Sequence, residues 1–153
     1  RFAYKAGGTE VKIDVATTEE GDGNWTHLAM TWNTSVDELK GYVNGSQVAS
    51  TVGSLGTFSG TIDKCFSGKN TLANDSYFKG YIDEISVFTQ VVDIASLYNE
   101  GNPKDVEFSG LLGLVGYQRF AEGTGTSVVD DSDNNNTATL VNGSAWSIVT
   151  PSD

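Results

Sequence analysis

Apolar and polar residues alternate with a period of two in several short runs, separated by clusters of Gly, Asn, Asp, Ser and Thr. That pattern marks half-buried β-strands joined by turns. The densest stretch is Trp25–Ser50. Leu28, Met30 and Trp32 alternate with His27, Ala29 and Thr31, which predicts a strand with Leu28, Met30 and Trp32 facing the core. Asn33-Thr34-Ser35 supplies a turn. Leu39, Gly41 and Val43 then alternate with Lys40, Tyr42 and Asn44. Asn44-Gly45 has the residue types for a two-residue hairpin, in which both positions need φ > 0. Gln47–Val52 is the return strand.

On either side the pattern continues. Arg1–Lys5 and Thr9–Val15 predict a hairpin around Gly7-Gly8. Thr61–Gly68 alternates as a strand, and Tyr77–Thr89 reads as a longer one. Its period slips at Asp83-Glu84, because Ile82 and Ile85 are both apolar, so a bulge or bend is expected there. Val92–Glu100 is the one helix candidate. Asp93 stands as N-cap, Ile94, Leu97 and Tyr98 form one stripe, Gly101 suits a left-handed C-terminus, and Pro103 blocks continuation. Strands follow at Leu111–Phe120, Thr126–Val129, Thr137–Asn142 and Ala145–Val149. The predicted class is all-β, an antiparallel β-sandwich of jelly-roll type with one short helix near 93–100.

Three segments resemble the laminin-G-like, concanavalin-A-like (pentraxin-type) jelly rolls. The meander W-T-H-L-A-M-T-W, turn, L-K-G-Y-V-N-G is similar to that family's central strands. Phe78–Phe88, FKGYIDEISVF, resembles its closing strand "F-x-G-x-I-D-E-V-x-I-Y", with IASLYNEG after it as in the family. Gly113–Trp146 resembles its opening, "L-V-G-Y-W-x-F-D-E-G-x-G-T-x-V-x-D-x-S-G-N-x-N-T-G-T-L-V-N-G-x-x-W". The order is inverted: the closing half stands first, the opening half last, and the family's middle strands are missing. Residues 1–104 therefore read as the C-terminal half of one such sandwich and 105–153 as opening strands. The latter either pack in cis as a permuted sandwich or complete a neighbouring chain by strand addition. The abrupt start at Arg1, already inside a strand pattern, is expected of a fragment or processed chain.

Charge narrows the partners. The formal net charge is −11, from 9 Lys+Arg against 20 Asp+Glu, which opposes binding to nucleic acid through its phosphates. No apolar run is long enough to insert in a membrane. Six Asn-x-Ser/Thr sequons, at Asn24, Asn33, Asn44, Asn74, Asn135 and Asn142, fall in predicted turns and point to an extracellular or cell-surface glycoprotein. Cys65 is the one cysteine, so no intrachain disulfide forms, and a buried, inert thiol is expected, with an intermolecular disulfide as the alternative.

Candidate chemistry is sparse. The resemblance implies a structural Ca²⁺ at a loop rim, held by Asp83 and Asp130 with Asp131, Asp133 and Asn134 close by. The sequence departs from the family pattern at Gln118, Ala121 and Asp133. The plainer reading is a solvated acidic turn whose Asp side chains cap backbone N–H groups. Asp83 and Glu84 fall on opposite faces of a strand, and the E-x-D-x-x-E run of related glycoside hydrolases is absent, so no enzyme is expected. His27 is the sole histidine and builds no triad. Trp32 and Trp146 are predicted in the core, whereas Trp25, Tyr42 and Tyr81 lie on outward faces and are the glycan-binding candidates. The expected function is a non-enzymatic structural repeat of a surface or filament-forming protein, pairing with other copies through sheet edges. The alternative is a carbohydrate-binding or adhesion module, calcium-dependent if the rim site is real.

Overall fold

A computed structural model describes residues 1–15, 23–61, 64–69, 77–102 and 111–151. Their strands and single short helix give an all-β protein of largely antiparallel ladders. They are grouped in two compact units: Arg1–Ser59 with Phe88–Glu107, and Gly60–Val87 with Phe108–Pro151.

The first unit begins with a hairpin of β1 (Phe2–Ala6) and β2 (Thr9–Ile13). Gly7 and Gly8 make its two-residue loop, both at positive φ, where a side chain is disfavoured. The meander follows as β3 (Leu28–Asn33), β4 (Glu38–Val43) and β5 (Ser46–Val52), in the spatial order β3-β4-β5. Asn44 and Gly45 turn the chain at φ 47° and 75°, as their residue types require. Asp37 fixes the return path beyond β5. Its carbonyl accepts from Gly53 N at 3.1 Å and its Oδ1 accepts from Leu55 N at 2.8 Å.

The hairpin lies over the meander. Ile13, Leu39 and Leu55 form the buried cluster between them, with Phe2, Tyr4, Val11, Met30 and Ala49 packed against it. Gly41 is what allows the layers to approach. A Cβ there would stand 2.8 Å from the Phe2 ring and 3.1 Å from Ile13 Cδ1. The predicted core face is therefore correct at Met30 and incorrect at its neighbours: Leu28 is 56% and Trp32 41% exposed. The hairpin is centred on β4 and β5, while β3 is an edge strand that it covers only in part. Trp32 keeps a tilted ring contact with Tyr4, 6.2 Å between centroids.

The helix α1 (Ile94–Tyr98) starts where Asp93 Oδ1 accepts from Ala95 N and Ser96 N. It ends earlier than the expected Gly101. Asn99 already takes the left-handed conformation, and a 3₁₀ turn over Asn99–Gly101 follows.

The second unit holds β6 (Ile85–Phe88) against β7 (Leu114–Gln118), and β8 (Ser127–Val128) against β9 (Ala138–Thr139). The expected long strand Tyr77–Thr89 is reduced to its last third. The bend expected at Asp83-Glu84 is real, with Glu84 at φ 54°, and strand geometry begins only after it. Lys64–Gly68 and Ala145–Val149 are outside strands, contrary to expectation.

Candidate functional site

The acidic run after β8 is built inward. Asp130 is 5% exposed, and both its oxygens are occupied. Oδ1 accepts from Tyr117 N at 2.7 Å and Ser132 N at 2.9 Å. Oδ2 accepts from Ser132 Oγ at 2.9 Å and Asn136 N at 2.6 Å. Burial opposes ionisation of this carboxyl, but the bonds from Tyr117, Ser132 and Asn136 outweigh it and hold its pKa below the ordinary aspartate value. Asn134 and Asn136 donate to the Leu114 and Val115 carbonyls, at 3.0 and 2.6 Å, so the loop is fastened along β7. Asp131 Oδ2 accepts from Arg119 Nε at 2.7 Å, and Asp133 is exposed. Asp83 Oδ1 accepts from Glu84 N at 3.0 Å, and burial pushes its pKa up.

Calcium needs six to eight oxygens in one shell. Among the described residues no group of three or more His, Cys, Asp or Glu side chains is placed to hold a metal. The oxygens of Asp130 already serve backbone and hydroxyl donors, and Asp131 serves a guanidinium.

Glu84 has a role the sequence did not reveal. Its carboxylate accepts a short hydrogen bond from the Tyr117 hydroxyl, and Tyr117 is 2% exposed. The bent Asp83-Glu84 dipeptide is thereby tied to β7, in the same ladder as β6.

His27 packs on the Tyr98 ring, 5.6 Å between centroids. Its backbone N–H donates to Asn44 Oδ1 at 2.9 Å, and its carbonyl accepts from Asn44 N at 2.9 Å. Burial lowers the His27 pKa. A Cβ on Gly45 would stand 2.8 Å from Tyr98 Cδ1, so helix and hairpin turn are in close contact. These residues hold scaffold together.

The three glycan candidates fall in both units. Trp25 and Tyr42 are half-buried residues of the first unit, while Tyr81, 58% exposed, belongs to the second. Trp146, expected in the core, is half-buried and donates from Nε1 to Gly125 O at 2.8 Å. Cys65 is exposed rather than buried, because the strand expected to carry it does not form. Among the sequons, Asn24, Asn33, Asn135 and Asn142 are exposed, Asn44 is half-buried against His27, and Asn74 lies outside the described residues.

Two surface features of the first unit remain. One is an open groove lined by Trp32, Asn33, Thr34, Thr89, Gln90 and Val91, which carries no charged side chain. The other is the free edge of β5. Among the described residues it pairs with β4 alone, and Ser46–Val52 contains neither a charge nor a proline. A bulge at Val48, where the register passes from Gly41↔Ala49 to Tyr42↔Gln47, leaves Ala49–Val52 as a regular edge. Native edge strands are usually guarded by Lys, Pro or a cover, and Ala49–Val52 has none of these among the described residues.

The family model described as the concanavalin A-like lectin/glucanases superfamily matches residues 1–95, which hold the hairpin, the meander and β6. The chain belongs to this superfamily. The β-sandwich class read from strand periodicity is that of the superfamily. The match ends at Ala95, so the opening-type segment Gly113–Trp146 lies beyond it. One solved structure, residues 221–444 of an S-layer domain-containing protein from Clostridium thermocellum, is similar at 25% identity. It covers 59% of this chain with a TM-score of 0.37, and the chain spans 45% of its length. No curated protein matches the chain.

Proposed function

We propose that this superfamily member is a non-catalytic extracellular module, a structural repeat of a surface or filament-forming protein whose copies associate through β-sheet edges. The observation that carries this reading is the unguarded Ala49–Val52 edge of a three-stranded sheet in a chain of net charge −11. Copies of so acidic a chain repel one another over most of their surface. An uncharged strand is a place where two can meet without opposed carboxylates, through main-chain hydrogen bonds. Among the described residues, the acid/base candidates weighed above are engaged by neighbouring groups, which supports a non-catalytic role. Glu84 is engaged by Tyr117, Asp130 by its own loop, and the single histidine is partly buried against Tyr98.

The test is sedimentation equilibrium of the whole chain and of the S50K/V52K variant. Ser50 and Val52 are exposed and share one face of β5, so lysines there guard the edge without entering the core. Association of the wild type that is weakened about tenfold or more, equivalent to 1.4 kcal/mol, supports edge pairing. Unchanged association contradicts it.

The groove beside Trp32 favours a second reading, a glycan-binding module. An exposed indole flanked by two amides and two hydroxyls has the chemistry to stack on and hydrogen-bond a neutral sugar. Saturable binding to a glycan array that W32A abolishes would favour it over self-association.

A further inference from the structure

The second unit carries a patch of opposite character to the chain as a whole. Residues 64–69 and 77–82 are held side by side, with Lys69 bridged to Tyr77 and Phe78 N donating to Gly68 O at 2.8 Å. This pairing displays Phe66 at 51%, Tyr77 at 50% and Phe78 at 61% exposure. The Lys69 ammonium stands 5.9 Å from the ring centroids of both Phe66 and Tyr77. Lys64 and Lys79 are exposed on the same two segments. Three of the chain's nine basic residues thus fall within 64–82, where Asp75 is the one acidic residue in the sequence. Contiguous exposed apolar groups rimmed by polar residues mark an interaction site.

We propose that this lysine–aromatic patch is a second assembly surface, and that its occupant is the acidic surface of another copy of the same chain. The complement is on the page: 20 acidic residues against 9 basic ones, with Glu100 and Asp133 among the exposed carboxylates. Screening confines surface electrostatics to about 8–10 Å at ordinary salt, so the local sign of a patch decides a contact more than the net charge does. A ring with an ammonium over it also buries apolar area that a bare lysine does not offer. A basic patch meeting an acidic one is not self-complementary. The contact is heterologous, and it propagates head to tail rather than closing a two-fold dimer. This inference rests on the assembly reading above and adds the contact that would extend edge-paired copies into an open chain.

The experiment is sedimentation velocity across a concentration series on four forms of the whole chain: wild type, K64E/K79E, K5E/K12E and the edge variant S50K/V52K. Both lysine pairs are exposed, and both substitutions take the net charge from −11 to −15, so the two variants are matched in charge, while K5E/K12E also removes the Lys12–Glu10 ion pair of the hairpin. The patch predicts that K64E/K79E shortens the assemblies and weakens association about tenfold or more, while K5E/K12E stays close to wild type. K64Q/K79Q serves if the glutamates prevent folding, with a smaller loss in the same direction. Equal behaviour of the two glutamate pairs overturns the patch, even where S50K/V52K abolishes association and so leaves edge pairing intact. A wild type that is monomeric throughout overturns both.

Discussion

Asp130 is the residue on which the second unit's loop depends. A carboxylate taking three backbone N–H groups and a hydroxyl has no equivalent among the side chains of its shape, since the isosteric amide turns one acceptor into a donor. Asp130→Asn is expected to cost about 1.5–3 kcal/mol in urea unfolding, the range for hydrogen bonds to a charged group. The sign with pH follows from its lowered pKa. The contribution is complete above the ordinary aspartate value and is lost as pH falls from there through the lowered one. Asp83, with a raised pKa, acts in the opposite sense: its contribution is complete below the ordinary value and fades as pH rises through the raised one. The difference between wild type and D130N therefore isolates the Asp130 limb, and that difference should shrink below about pH 4. A difference independent of pH would show that Asp130 acts by shape alone. The expected metal role and the observed capping role require the same residue types. The sequence names these residue types but does not show that Tyr117 N and Asn136 N point at the carboxylate.

At the scale of elements, the turns were the most legible. Gly7-Gly8 and Asn44-Gly45 take the positive φ values their chemistry predicts, and Asp93 caps the helix as expected. These are local effects, carried by the residues themselves. Burial was less legible, because it depends on what covers a face. Leu28, Met30 and Trp32 share one face by periodicity, yet only Met30 packs against the core beneath the hairpin. Similarly, Tyr77–Thr89 has strand-forming residues, but only Ile85–Phe88 finds a partner strand. The join between hairpin and meander is tightest at Gly56, where a Cβ would stand 2.1 Å from Ala6 O, a backbone atom that no side-chain rotation relieves. Tyr4 also donates to Gly56 O at 3.1 Å. Gly56→Ala should cost about 1–3 kcal/mol in chemical denaturation, as overpacking does. A neutral result would mean that the loop at 53–57 moves freely away from β1.

At the scale of the whole molecule, superfamily membership establishes the architecture and leaves the task open, since this sandwich hosts unrelated functions. Within the chain, β6 (Ile85–Phe88) pairs with β7 (Leu114–Gln118). Among the strand sides that the ladders leave unpaired in the described residues is the outer side of β5, and edge pairing there makes a prediction at the level of individual amides. The most direct measurement is hydrogen exchange read by NMR on dilute and concentrated samples of the whole chain. Outward-facing amides within Ala49–Val52 should exchange more slowly at high concentration, while the amides of β4, already bonded on both sides, keep the same rates. Rates for Ala49–Val52 that do not change with concentration would contradict assembly through this edge.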